Sequence, residues 1–299
     1  MNLNTLWPTL MESVEPLSDF ALDKAVAELE LETGGMTWLW AICLFGAEPF
    51  STTAYMRIRP YGSARVNETR FASAVRQGML TVNSQNEYLP TEKGIQFVKK
   101  FLQVAEASIA HLRPMPIAGL QNVAGYGKRL AEASLATPEP PSKFGLIRYY
   151  KNLHPGQDAS LPRLIVHYVG TLSQYRDASH LAAWQDHNLA GYVWSALTSI
   201  WRDEEANTPE ALHEEMGQTV FSRDEILGAL HDLVNRGWIE EESEQYQTTT
   251  EGKRVRQKAE DLTDLHFFPP WVCLNETEQE DLLSLATQFR HGLKDITES

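Results

Sequence analysis

Cysteine is almost missing from this sequence: two residues in 299, Cys43 and Cys273, both in apolar surroundings. That excludes a disulfide framework and a thiolate zinc site, and it suits buried thiols in a reducing compartment. Long hydrophobic runs are missing too. The longest, WLWAICLFGA from Trp38 to Ala47, is about half of the roughly 20 residues that a membrane-spanning helix needs. The opening MNLNTLWPTLMESVEP has no basic stretch followed by an apolar one, so no signal peptide is expected, and the chain is read as cytoplasmic with no membrane partner. Positive charge is scarce: 26 Lys and Arg stand against 40 Asp and Glu, for a formal charge of -14. Such a balance argues against sequence-blind affinity for nucleic acid, because phosphate binding needs a concentrated positive surface.

The usual catalytic fingerprints are absent as well. There is no G-x-S-x-G, no G-x-x-x-x-G-K-[ST] and no G-x-G-x-x-G. His154, His167, His180 and His187 share one region, but none of them are paired at the three- or four-residue spacing of a helical metal site. Asp177 and His180, three apart in YRDASHLAAWQDH, are read as a hydrogen bond on a helix surface rather than as an acid/base pair. No enzyme activity, cofactor or metal is therefore expected.

What the sequence does contain is an internal repeat. FASAVRQGMLTVNSQNEYLPTEKG, Phe71 to Gly94, aligns with LHDLVNRGWIEEESEQYQTTTEG, Leu230 to Gly252. In each, an amphipathic helix ends at a glycine (Gly78, Gly237), an apolar pair follows, and a polar turn and an aromatic lead into T-x-x-G. The pattern is helix, strand, turn, strand, helix, with the threonine placed to cap the last helix. Upstream of the second copy lie GYVWSALTSIW, the short PEALHEEMG, and a capping box of Ser222 and Glu225. In the first copy, Met36 to Gly46 and Thr52 to Ile58 take the places of the first two helices, and Val66 to Gln77 that of the third. Long helices follow both wings, and Asn275 with Glu278 caps a last amphipathic segment.

These patterns predict a mainly α fold with small β-wings (α+β): tandem winged helix-turn-helix units joined by a helical connector. The expected boundaries are 1–115, 116–186 and 187–299, with ATPEPPS, Ala136 to Ser142, as a linker by composition.

Positive charge is local: one run, Lys253, Arg254, Arg256 and Lys258, follows a very acidic segment, and another lies between Met56 and Gln77 of the first unit. Arg57 and Arg59 close its second helix, and Arg65, Arg70 and Arg76 lie in or beside its third, with Asn67, Thr69 and Gln77 placed to meet base edges or phosphates. Its wing tip, Asn83 to Asn86, is neutral. The aromatic groups Trp38, Trp40 and Phe45, Tyr149 and Tyr150, and FFPPW fit core packing better than a ligand pocket.

The segment from about Ala183 to Thr263, with LVNRGWIEE before the wing and TTTEGKRVRQKAEDLTD after it, resembles a MarR-type winged helix. The resemblance implies a third helix, Arg223 to Asn235, set in the DNA major groove, a wing at Glu240 to Thr248 along the backbone, and dimerisation through flanking helices. Arg223 would then contact DNA. The wing departs from that pattern, because Glu240, Glu241, Glu242 and Glu244 would repel phosphates. The resulting expectation is a DNA-binding transcriptional regulator, as an internal pseudo-dimer or a homodimer on double-stranded DNA, with a small-molecule effector compatible with the connector. The alternative is a protein-interaction module that does not bind DNA.

Overall fold

The computed structural model describes residues 2–156, 158–202, 207–218 and 220–297. The chain opens with α1 (Leu3–Glu28), which no sequence pattern marked and which holds Pro8 and Pro16 in its interior. Interior proline removes a helical hydrogen bond and normally breaks a helix. Here burial outweighs that cost, since Leu6, Leu10, Val14 and Leu17 line one face and are all but inaccessible.

The first winged helix follows: α2 (Gly35–Phe45), α3 (Thr52–Met56), α4 (Ala64–Arg76), the hairpin β1 (Leu80–Val82) and β2 (Tyr88–Pro90), and α5 (Glu92–Ile109). Then come α6 (Ile117–Ala136), α7 (Phe144–Asn152) and the long α8 (Leu161–Trp184). The second winged helix is α9 (Gly191–Arg202), α10 (Pro209–Glu215), α11 (Arg223–Asn235), β3 (Ile239–Glu242), β4 (Gln245–Thr248) and α12 (Thr250–Phe267), and α13 (Glu276–Thr297) ends the described chain. Both hairpins are antiparallel, pairing Leu80 with Pro90 and Ile239 with Thr248. The fold class is the expected one, mainly helical with two small two-stranded sheets.

Two apolar cores form. One gathers α1 to α7, the first part of α8, Phe267 and Trp271, and α13. The other holds the end of α8, α9 to α11, the second hairpin and the first part of α12. Tyr175 meets the His266 carbonyl and His180 meets Thr263, so α8 and α12 run antiparallel and each passes from one core into the other. The apolar face of α13 is covered by α1 and α6, not by the second winged helix.

The repeated T-x-x-G has one structural meaning in both copies. The Thr91 hydroxyl accepts the Gly94 N–H (3.1 Å) and donates to the Gly78 carbonyl (2.6 Å); Thr249 does the same with Gly252 (3.0 Å) and Gly237 (2.6 Å). Each threonine thus caps a helix and ties it to the turn before the wing. The glycine lets the helix start lie flat on the preceding strand, where a Cβ would collide with the carbonyl oxygen of Met79 or Trp238. Gly94→Ala and Gly252→Ala should each lower the unfolding free energy by about 1–3 kcal/mol, as overpacking does. At Gly125 and Gly228 an added Cβ meets nothing within 4 Å, and alanine there should be neutral or stabilising by up to ~1 kcal/mol. Urea denaturation of the four variants checks this, and equal effects at all four would contradict it.

Candidate nucleic-acid interface

Helix α4 buries Asn67, Phe71 and Ala74 and exposes Arg65, Glu68, Thr69, Ala72 and Arg76. The spacing puts the exposed set along one stripe of the helix. The eight candidates named in this unit do not all share that stripe. Arg65 and Arg76 lie on it, and the Arg76 guanidinium has no ion pair or hydrogen bond among the described residues. Arg70 is turned inward, with Nη1 donating to Thr37 Oγ1 at 3.2 Å. Asn67 is 5 % exposed and its amide donates to Met56 Sδ at 3.0 Å, which leaves it no edge to offer a base. Arg59 leans on the Trp40 ring and reaches Asp177 at 3.9 Å, while Arg57 is exposed at the rim of a cleft against α8. Gln77 is taken by Glu32 and Ser73. The sequence sees five nearby arginines; the helical turn sends them in different directions.

The first turns of α4 and α11 abut. Glu225 completes the predicted capping box, accepting from the Ser222 N–H at 2.7 Å while the Ser222 hydroxyl accepts the Glu225 N–H at 3.2 Å. The same carboxylate also accepts the Ser63 hydroxyl (3.3 Å) and Arg65 Nη2 (3.2 Å) from the other unit. Burial pushes this carboxyl up, but the Ser222 and Arg65 bonds outweigh it and hold it below the ordinary range. The sequence marked Glu225 as a cap and gave no signal of its second role. Nearby, Trp184 Nε1 donates to Tyr61 Oη at 3.1 Å, and Gly191 lies against the Pro60 carbonyl, where no side chain fits. The turn between α3 and α4 is thereby held against the second unit.

Helix α11 presents Arg223, Asp224, Leu227, Gly228, His231, Val234 and Asn235 to solvent. Arg223 is exposed and paired with Glu210 at 2.5 Å. Leu227 and Val234 are 37 % and 39 % exposed, two turns apart on this outward face. Beside them, Glu240, Glu241, Glu242 and Glu244 of the second wing are all exposed.

The connector histidines have separate fates. Asp177 and His180 do not bond each other: Asp177 takes Gln174 and Arg59, while His180 accepts Trp194 Nε1–H on Nε2 (3.1 Å) and lies 3.0 Å from Thr263 by Nδ1. The expected surface hydrogen bond is replaced because His180 points into the packed α8–α12 seam. Burial, then Arg256, pushes its pKa down to about 4. His167 is fully buried, enclosed by Tyr149, Tyr150, His154 and Tyr168, with neither ring nitrogen hydrogen-bonded. Burial, then Arg163 and His154, pushes it down to about 3. Among the described residues no group of three or more His, Cys, Asp or Glu is placed to hold a metal ion.

Residues 154–296 match a family described as a helix-turn-helix family. No curated protein matches the chain. The matched span runs from before α8 into α13 and supports a helix-turn-helix domain there, without singling out the MarR type. At this coarse level it points to a DNA-binding regulatory protein rather than an enzyme. No helix among the described residues is long and apolar enough to cross a membrane.

The two neutral histidines set a pH dependence. Their folded pKa values lie below the ordinary 6.5, so as pH falls the unfolded chain takes up protons first. Their contribution is full above about pH 6.5 and is lost progressively toward pH 4 and pH 3. For His167 the slope is about 1.4 kcal/mol per pH unit across that window. His167→Phe should therefore flatten the fall in unfolding free energy between about pH 6.5 and pH 5 by roughly 2 kcal/mol. Parallel profiles for the two proteins in urea would contradict it.

Proposed function

We propose that this chain is a DNA-binding transcriptional regulator whose duplex contact is the exposed stripe of α4, with Arg65, Thr69 and Arg76 facing the groove or its phosphates. The observation that carries this reading is the pairing of that stripe with a neutral polar wing tip at 83–86 beside a helix-turn-helix domain. Arg65 can turn to a phosphate because its pair with Glu225 is exposed, with 62 % of the arginine side chain accessible, and such pairs contribute about 0–1 kcal/mol. Arg70 and Asn67 support the helix rather than touch DNA. Arg57 and Arg59 face the α8 side and do not join the contact.

The abutting first turns of α4 and α11 bear on symmetry. Readers of two half-sites place their recognition helices about 34–36 Å apart, with the helix starts on the bases. One chain of this protein cannot span that distance with helix starts joined through Glu225, so a palindromic site would need a second copy. For α11 a different role is favoured by its exposed Leu227 and Val234 and its acidic wing: a contact with a protein partner, with Arg223 held by Glu210.

Fluorescence anisotropy with a labelled random duplex at low salt tests the reading. Binding should weaken steeply as salt rises, and Arg65→Ala with Arg76→Ala should reduce both the affinity and the salt slope, by about one unit for each lost phosphate contact. Arg223→Ala should change neither. Absence of binding, or binding unchanged in the double variant, would overturn it.

A further inference from the structure

A cavity of about 410 Å³ opens at the junction of the two units. Its walls are α8 (Arg176, Asp177, His180), α9 (Trp194, Ser195, Thr198, Ser199, Arg202), α12 (Arg256, Glu260) and Tyr61, from the turn ahead of α4. The volume falls in the range of small-molecule sites, roughly 300–1,000 Å³.

The wall carries donors, several of which no described residue uses. Helical Ser and Thr commonly return the hydroxyl to the carbonyl one turn back, as Thr198 does to Trp194 at 2.9 Å. Ser195 and Ser199 do not; among the described residues neither hydroxyl is hydrogen-bonded, and Ser199 is only 6 % exposed. Arg256, 4 % exposed, gives Nε to Thr198 (3.1 Å) and sets Nη1 against Glu260 (2.6 Å) as an ion pair without hydrogen-bond geometry, and no described residue bonds Nη2. Arg202 is bound to Glu215 at 2.8 Å and stays open at the mouth. Tyr61 Oη accepts from Trp184 and keeps its own proton to give. Among the lining carboxylates, the Oδ1 of Asp177 meets no described residue, since Gln174 and Arg59 are on its Oδ2. The lining carries three arginines against two carboxylates, with Glu215 and Asp264 pairing Arg202 and Arg176 from outside it.

We propose that this cavity is a binding site for a small oxyanion, a phosphate or carboxylate group, held by Arg256, Arg202 and the Ser195 and Ser199 hydroxyls. Guanidinium and hydroxyl donors converging from separate elements are what such a group requires. The Trp194 ring offers no open face to a ligand ring, because it is stacked with Trp184 and His187 and lies under Arg256. The ligand is therefore recognised through its anionic group. Bound there, it touches the turn that carries α4 and the second unit's α9 and α12 together, which makes it an effector of the proposed regulator. That consequence rests on the duplex-binding reading; the binding itself does not.

Isothermal titration of the full chain with sodium phosphate and, separately, sodium acetate, at ionic strength fixed with sodium chloride, tests the site without DNA. At least one anion should bind saturably at one site per chain, and which of the two does so identifies the group. Arg202→Ala, at an exposed position, and Ser199→Ala, which breaks no hydrogen bond, should each weaken binding about tenfold while leaving the circular dichroism unchanged. Heats that follow ionic strength only, or affinity in both variants unchanged from that of the unsubstituted chain, would overturn the site. Loss of the anion site with duplex binding intact refutes this inference alone, and the reverse result refutes the duplex reading alone.

Discussion

An arginine as deeply placed as Arg256 has to be neutralised and hydrogen-bonded where it lies, or the desolvation cost would unfold its surroundings. Glu260, one turn along α12, supplies the charge, and Thr198 on α9 accepts its Nε–H. The rings of Trp194 and Trp201 lie against the guanidinium at 5.2 and 4.9 Å. The second oxygen of Glu260 takes Arg176 from α8 at 3.6 Å, and Arg176 goes on to Asp264 at 3.0 Å. One chain of charges thus binds α8, α9 and α12, at the level where α8 and α12 pass between the two apolar cores. His180 fits beside it only as the neutral ring. Thr263 already donates its hydroxyl to Ala259 and Trp194 donates to Nε2, so the proton of His180 must sit on Nδ1 and point at Thr263.

The same economy governs the capping glutamates. Glu278 caps α13 by accepting the Asn275 N–H at 2.9 Å and also receives Arg129 of α6 at 2.6 Å, just as Glu225 caps α11 and receives Arg65. A capping carboxylate is already fixed by its helix, so a distant arginine that reaches it loses less freedom than two mobile side chains would. In both places this converts a local helix start into a tertiary joint.

The repeat was legible because its signals are local. Thr91, Gly94, Thr249 and Gly252 carry their roles within a few residues, and the capping pairs at Ser222 and Asn275 need only their own helices. Helix α1 was not legible, because Pro8 and Pro16 argue against a helix locally and only burial against the rest of the first core reverses them. The arginines fell between these cases. Their presence near α4 could be read, but whether Arg70 turns to Thr37 or Arg59 to Asp177 depends on residues 33 and 118 positions away, respectively, that a sequence pattern does not connect. Glu225 shows the same limit, since the cap is visible three residues away and the bond to Ser63 spans 162. The exposure of Leu227 and Val234 also depends on which face of α11 the second core takes.

For a duplex approaching this molecule, the formal charge of -14 matters less than where the charges lie, because exposed charges act over roughly 8–10 Å at ordinary salt. The inner arginines Arg59, Arg176 and Arg256 are paired with acids and add little to the outer field. What faces out from α4 is Arg65 and Arg76 against Glu68, next to an uncharged wing tip; what faces out from α11 and its wing is dominated by Asp224 and four glutamates. On the proposed reading, a phosphate backbone is drawn to the first surface and repelled by the second. The two units share a supersecondary plan, and the sign of a few exposed side chains gives their outer faces opposite preferences.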